Sequence, residues 1–285
     1  SLSITIDATA PGKPSIITTT TLTNDSTPAI EGIAEAGSTV ELFNGSDSLG
    51  TATADGTTGA YTITPAALDD GAYSLTVTAT DAAGNISDTS DALSITVDAT
   101  APAQPSITTT TTLTSDATPT IAGTAEAGST VTLLSSGVEI GTTIADENDQ
   151  FSITTSTLAD SNYVLTVTAT DAAGNISEAS DSLSITIDAT APGKPSIITT
   201  TTLTNNSTPA IEGIAEAGST VTLFVDGVTT GITTTAAAVT GIFSLRPLIA
   251  LEEGLNSLTV TATDAAENIS EASDSLSITI DTTAP

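Results

Sequence analysis

The sequence predicts an all-β chain folded as three tandem β-sandwich domains. Three observations carry that prediction. A nine-residue phrase returns at a domain-sized interval, apolar side chains alternate with hydroxyl side chains at period two, and clusters of Asn, Asp, Gly and Pro cut the chain into short runs.

The phrase sets the boundaries. Ser-Ile-Thr-Ile-Asp-Ala-Thr-Ala-Pro at 3–11 returns at 94–102, with Val for one Ile, and at 184–192. It returns again at 277–285 with Thr for one Ala. Its aspartates, Asp7, Asp98, Asp188 and Asp281, stand 91, 90 and 93 residues apart. Solenoid units run to roughly 20–50 residues, whereas one small β-sandwich takes about 100. The unit is therefore a whole domain. Residues 1–97 form the first repeat, with 1–6 closing a preceding one; 98–187 and 188–280 form the second and third; 281–285 begin a further linker. The linkers are short, and the expected shape is an elongated rod.

Within the first repeat, residues 15–23, 29–34, 39–43, 50–54, 60–64, 71–80 and 92–98 read as strands. The clearest is 71–80. Tyr73, Leu75, Val77 and Ala79 share one parity, and Ser74, Thr76, Thr78 and Thr80 share the other. That pattern is a half-buried antiparallel strand, apolar inward and hydroxyl outward. Tyr163, Leu165, Val167 and Ala169 repeat it. In the third repeat Leu258, Val260 and Ala262 do so, but Asn256 replaces the tyrosine. Asn24 to Pro28, Asn44-Gly45, Asp55-Gly56 and Asp69-Asp70-Gly71 supply the turns between runs. Seven antiparallel strands per repeat make an Ig-like β-sandwich. The tyrosine opening the sixth strand matches the tyrosine corner of that fold, so Asn256 is expected to leave the third repeat without this anchor.

Composition excludes several function classes. The formal net charge is −31, with three basic residues, Lys13, Lys194 and Arg246. No electrostatic partnership with nucleic acid or an anionic membrane is expected. The hydrophobic fraction of 38% separates the chain from acidic disordered sequences. Aromatic residues make up only 2%, so each core must be small and aliphatic, and without cysteine no disulfide reinforces it. No apolar run of about 20 residues exists for membrane insertion. The chain also lacks a signal peptide and an initiator Met, and reads as an excerpt from a longer protein.

Acidic residues at three positions recur in every repeat. They are the linker aspartates Asp7, Asp98 and Asp188, the glutamates Glu35, Glu126 and Glu216, and Asp81, Asp171 and Asp264. Asn85, Asn175 and Asn268 follow the last set by four residues. On an Ig-like topology the linker precedes the first strand, the glutamate opens the loop between the second and third, and Asp-x-x-x-Asn opens the last hairpin. These segments share one pole. Carboxylates meeting there would repel one another, with no recurring Lys or Arg to neutralise them. Ca²⁺ answers that conflict, because it takes six to eight oxygens from carboxylates, amides, carbonyls and water. Zn²⁺ would want the Cys or His that the chain lacks. Asp and Asn are also ordinary turn and cap residues, and that simpler reading stands beside the metal.

Other acids are weaker candidates. Asp88, Glu178 and Glu271, with Asp91, Asp181 and Asp274, recur in the last hairpin, where solvent suffices for them. Asp69 and Asp70, Asp160, and Glu252 and Glu253 lie at the opposite pole, facing the next repeat, where one could add a ligand across the joint. Asp146, Glu147, Asn148 and Asp149 cluster only in the second repeat. Threonine runs at 18–21, 108–112 and 199–202 read as edge-strand residues rather than as an ice-binding or glycan-bearing face.

Residues 27–40, residues 77–87 and the Val-Asp-Ala-Thr-Ala-Pro phrase resemble the tandem Ig-like repeats of giant bacterial surface adhesins, of the type I-secreted and biofilm-associated kind. The resemblance covers all three repeats. It implies an extracellular extender on the bacterial cell surface, stiffened by Ca²⁺ at domain junctions and projecting a terminal binding domain. The implied ligands are the Asp, Glu and Asn residues above. Glu267 departs from the pattern, standing where the other repeats have Gly84 and Gly174, which puts its turn in question. The partners expected are neighbouring repeats of the same chain, and self-association into a filament, sheath or surface layer is the alternative. No enzyme is expected, since the chain has no His, no Cys and no nucleophile outside the repeat pattern. A carbohydrate-binding platform would need more aromatic residues than three Tyr and four Phe.

Overall fold

The computed structural model describes residues 5–283, and every regular element in that span is a β-strand. The first repeat has eight: β1 (Ser15–Ile16), β2 (Leu22–Thr23), β3 (Ile30–Ile33), β4 (Thr39–Asn44), β5 (Asp47–Thr53), β6 (Ala60–Ile63), β7 (Gly71–Thr80) and β8 (Leu93–Val97). Strands β9–β16, spanning 106–187, and β17–β24, spanning 196–280, repeat the set. Each repeat pairs a three-stranded sheet, ordered β1-β3-β6 in the first, with a five-stranded one, β2-β8-β7-β4-β5. In the first repeat β2 and β8 run parallel, and the other pairs are antiparallel.

The eighth strand arises because the predicted run 15–23 is not one strand. It begins in one sheet and ends in the other. Ile17 N and Thr18 N both donate to the Glu31 carbonyl, and Glu31 N donates to the Thr18 hydroxyl at 2.8 Å. That hydroxyl supplies the ladder bond that the departing backbone no longer makes. Beyond it, Thr96 N and Asp98 N donate to the Thr21 and Thr23 carbonyls of the opposite sheet. Thr109 and Thr199 accept the equivalent bonds from Ala122 N and Glu212 N at 2.8 and 2.7 Å. The threonine runs are therefore sheet-to-sheet crossovers, not edge strands.

Each core is aliphatic and thin. Ile30, Val40, Leu42, Leu75, Val77 and Ala79 are fully buried in the first repeat, each large aliphatic among them contributing about 1.5–3 kcal/mol by burial. The inward parity of β7 is the one read from its sequence. One ring completes the packing. Tyr61 stands opposite Gly32 in the ladder, and a Cβ on Gly32 would fall 2.2 Å from its hydroxyl oxygen. Phe151 over Gly123 and Phe243 over Gly213 repeat the device. The Tyr61 hydroxyl donates to the Ser15 carbonyl at 2.9 Å and so holds β1. Burial pushes the pKa of this phenol up to about 12.

The tyrosine corners form as expected. Tyr73 donates to the Asp69 carbonyl at 2.8 Å and Tyr163 to the Ala159 carbonyl at 3.0 Å. The third repeat is not left without an anchor. Asn256, only 1% exposed, donates through Nδ2 to the Glu252 carbonyl at 2.9 Å, also four residues upstream. A short amide thus reaches the same kind of acceptor as the tyrosine hydroxyl.

The edge beside the second half of β7 is not a strand. β8 covers β7 only from Gly71 to Leu75. Above that point two buried serines take its place: Val77 N donates to Ser90 Oγ at 3.0 Å and Ala79 N to Ser87 Oγ at 2.9 Å. Ser177 and Ser180, then Ser270 and Ser273, do the same in the other repeats. Replacing Ser180 with Ala leaves the buried Val167 N–H without that acceptor, at a cost of about 1–3 kcal/mol. Amide exchange at Val167 in the variant should lose protection by one to two orders of magnitude, while Val77 and Val260 keep theirs.

Candidate junction site

The last hairpin of each repeat begins with a turn built on its aspartate. Asp81 Oδ1 accepts from Ala83 N and Asn85 N, both at 2.9 Å, and Asp81 Oδ2 accepts from Asn85 Nδ2 at 2.8 Å. Asp171 is held by Gly174 N, Asn175 N and Asn175 Nδ2 at 2.7, 2.9 and 2.8 Å. Asp264 accepts from Asn268 N and Nδ2 at 2.9 and 2.8 Å. Both carboxylate oxygens are used, which locks the side chain. The Asn85 amide, first, and the backbone N–H donors hold Asp81 below its ordinary pKa of 3.8. For Asp171 partial burial pushes upward, but the Asn175 and loop N–H donations outweigh it and the net shift is downward.

The same amide reaches outside its hairpin. Asn85 Nδ2 donates to the carbonyl of linker Asp7 at 3.2 Å. Asn175 Nδ2 donates to the Asp98 carbonyl and Asn268 Nδ2 to the Asp188 carbonyl, each at 2.7 Å. It is the linker's backbone, rather than its carboxylate, that the following repeat grips. The linker carboxylates fold back on their own chain, Asp7 Oδ1 accepting from Thr9 N at 3.0 Å and Asp98 Oδ1 from Thr100 N at 3.3 Å.

The preceding repeat holds the linker from the other side. Asp70, in the turn before β7, accepts from Ala99 N at 2.7 Å and from the Thr100 hydroxyl. Asp160 does the same with Ala189 N at 2.8 Å and the Thr190 hydroxyl. Glu253, a residue longer in the side chain, accepts from Thr282 N at 3.1 Å and the Thr282 hydroxyl at 2.8 Å. Ala99 N, then the Thr100 hydroxyl, depress the pKa of Asp70; the Thr190 hydroxyl, then Ala189 N, depress that of Asp160. These acids of the opposite pole thus contact the joint, as linker clamps. Pro102 and Pro105 are buried beyond it, as are Pro192 and Pro195. A Cβ on Gly174 would lie 3.7 Å from Asn24 Nδ2, so the second repeat's turn abuts the first repeat directly.

The remaining acids divide. Glu35, Glu126 and Glu216 are exposed, and what their loop uses is their carbonyl, which accepts from Ser38, Ser129 and Ser219 hydroxyls. Among the described residues no three acidic side chains gather at one point. Asp146 and Asp149 form a tight turn, Asp149 Oδ1 accepting from Ala127 N at 2.9 Å. Two lysines do recur near the last hairpin: Lys13 pairs with Asp91 and Lys194 with Asp274, at 2.8 and 2.7 Å. These pairs hold Asp91 and Asp274 below the usual carboxylate range.

In kind, the junction donors fit Ca²⁺. Each joint brings together a locked Asp carboxylate and a linker carbonyl, with the linker carboxylate on the same residue; these are hard oxygens of the kind Ca²⁺ takes, while the Asn meets them through its nitrogen. The amide nitrogen that bridges carbonyl and carboxylate provides a cation-free way of holding the same oxygens.

A family model described as a bacterial Ig-like domain matches residues 3–99, 102–189 and 196–282. Exoglucanase B of Cellulomonas fimi is 30% identical over 98% of this chain, and the match spans 26% of that enzyme. Among solved structures, fibronectin(III)-like modules of Clostridium thermocellum CbhA are 20% identical, with a TM-score of 0.42, covering 61% of this chain and 94% of theirs. A tetra-tandem repeat from the extending region of a large adhesion protein is 23% identical, with a TM-score of 0.29, covering 94% and 74%.

Acid should release the joints before the cores. Asp70, Asp81, Asp160 and Asp171 have folded pKa values below 3.8, so their contribution is fully present above that value and is lost as pH falls through the lower folded values. Scattering and linker proteolysis compared at pH 7 and pH 2.5 should show loosened joints with strand content retained. A second expectation concerns Glu267, which holds the turn at φ 72° where Gly84 and Gly174 have 93° and 94°. The turn survives, with strain of about 1–2 kcal/mol. Glu267→Gly should raise the melting temperature of the third repeat by several degrees.

Proposed function

The chain belongs to the bacterial Ig-like domain family, and from that premise we propose that it is an extracellular spacer of a large bacterial surface adhesin, stiffened by Ca²⁺ at its joints. The observation that carries this reading is the double clamp on each linker. Asp98-Ala99-Thr100 is gripped by Asp70 from the repeat before and by Asn175 from the repeat after. The following linker is gripped in the same way by Asp160 and Asn268. A tether meant only to connect would leave these backbone groups to water. A spacer that projects a distant binding domain needs the angle between domains fixed, and both linkers between the three repeats are held by the same kinds of bond.

Charge explains the cation. With a formal net charge of −31, the repeats repel one another, and an oxygen-rich joint is where a divalent ion relieves that repulsion most directly. Asp98 with Asp171, and Asp188 with Asp264, are the carboxylates that would hold it, with the linker carbonyls and Asn175 or Asn268 beside them. The sequence resemblance in residues 27–40 and 77–87 supports an extracellular adhesin. No catalytic role is assigned to the repeats.

Calcium titration of the whole chain tests this. At about a hundredfold excess over Kd, each site adds about 2.7 kcal/mol, enough for a melting shift of roughly 10 °C in a domain of this size. Scattering should show a narrower range of maximum dimensions with calcium than with chelator. Asp171→Asn should abolish the response of the first joint only. If neither melting nor dimensions respond, the calcium assignment is wrong. An extended, stiff chain under chelator would then leave the spacer resting on the hydrogen-bonded clamps alone.

A further inference from the structure

The third repeat departs from its sisters at one end in three ways. Asn256 replaces Tyr73 and Tyr163. The loop between β22 (Ile242–Leu245) and β23 (Gly254–Thr263) is longer, and it carries Pro247-Leu248-Ile249-Ala250-Leu251 where the first repeat has Pro65-Ala66-Ala67-Leu68. The hairpin between β20 (Thr220–Val225) and β21 (Val228–Thr235) reads Val-Asp-Gly-Val instead of Asn-Gly-Ser-Asp. All three departures meet at one cavity of about 470 Å³, within the range of roughly 300–1,000 Å³ usual for small-ligand pockets.

The register explains why space opens there. Asn256 pairs with Ile278 on the neighbouring strand, as Tyr73 pairs with Ile95 and Tyr163 with Ile185. In those repeats a phenol ring fills the inward position and its hydroxyl bonds the backbone four residues upstream. Asn256 keeps the bond and gives up the ring. Ile232, Pro247 and Leu251 wall the resulting space, and Asp226 and Glu252 stand in its lining. Around it Leu248 is 85% exposed and Ile249 81%, among the most exposed of the chain's large aliphatics.

The polar chemistry narrows the ligand. Asn256 is 99% buried, at 1% exposure, and its Nδ2 donates to the Glu252 and Gly254 carbonyls at 2.9 and 3.0 Å. Both protons are thereby used, and its side-chain oxygen is left as an acceptor within the lining. Asp226, whose Oδ1 also accepts from Ser257 N at 2.9 Å, and Glu252, on a chain of net charge −31, oppose an anion and favour a cation. We propose that this pocket binds a small free aromatic amine with a ring hydroxyl, the ring taking the place of the missing tyrosine, its hydroxyl donating to Asn256 and its ammonium facing Asp226 and Glu252. The first two repeats, whose own tyrosines fill the position, are built-in controls.

Tyramine is the probe, titrated into the whole chain and followed by amide chemical shifts. Shifts should be confined to residues 225–256 and saturate in the sub-millimolar range. 4-Hydroxyphenylacetate, the same ring with a carboxylate, should bind at least ten-fold more weakly. Asn256→Tyr should abolish binding and raise the third repeat's melting temperature, the latter showing that the variant folds. The proposal is overturned if tyramine produces no saturating shift, or shifts all three repeats alike as a cation spread over an acidic surface would. It is also overturned if Asn256→Tyr binds as well as the parent, or if the carboxylate analogue binds equally.

Discussion

One amide nitrogen per repeat holds the chain's domain arrangement together. Asn175 Nδ2 donates both to Asp171, within its own hairpin, and to the carbonyl of Asp98, in the linker. The hairpin bond locks the amide, and the locked amide then positions the linker. Because Asp171 spends both oxygens on this turn, the hairpin cannot shift without breaking several bonds at once. The next constraint follows along the linker: Ala99 N and the Thr100 hydroxyl are held by Asp70 from behind, so a stretch of three residues is fixed by two domains.

Inside each repeat the physics is different. Thin aliphatic cores with one fully enclosed ring apiece leave little hydrophobic surplus, and polar devices complete the sheets. The Thr18 hydroxyl carries the backbone from one sheet to the other, Ser87 and Ser90 stand in for a strand beside β7, and a glycine opposite Tyr61 makes room for its ring. Hydroxyl-rich composition is thus structural here. The Thr and Ser side chains replace backbone ladder bonds at the places where a strand ends early, which keeps buried N–H groups paired.

Period and parity made the architecture legible: the spacing of the linker aspartates counted the domains, and the alternation through Tyr73, Leu75 and Val77 set the inward face of β7. The split of residues 15–23 was not legible, because Thr suits an extended crossover as well as a strand and only the partner strands decide between them. The three-segment pole was half legible. Topology brings the hairpin aspartate and the linker together, but sequence does not reveal that the linker presents its carbonyl, nor that Glu35 turns outward. Asn256 misled for a simpler reason. A residue read as a missing tyrosine is a different donor to the same upstream backbone. The clamps by Asp70, Asp160 and Glu253 were foreshadowed only as acids facing the next repeat; the Thr in Asp-Ala-Thr, and Thr282 in the last copy, were the overlooked signal.

The linker aspartate carries one fact that hydrogen bonding does not explain. Its carboxylate makes an Asx turn through one oxygen, a task that Asn performs equally well. The chain itself offers the comparison. After β2, Asp25 and Asp116 make such a turn with Thr27 and Thr118, and in the third repeat Asn206 makes it with Thr208. Where the turn is the whole requirement, a neutral residue has been accepted. The linker position is Asp in all four copies, Asp7, Asp98, Asp188 and Asp281, although each adds charge to a chain already at −31. The hairpin aspartate needs two oxygens to lock its asparagine, so its charge follows from its bonds. The linker aspartate's charge does not, and repulsion makes it costly. A negative charge kept at every joint, beyond what the turn requires, is the feature that a bound cation would account for.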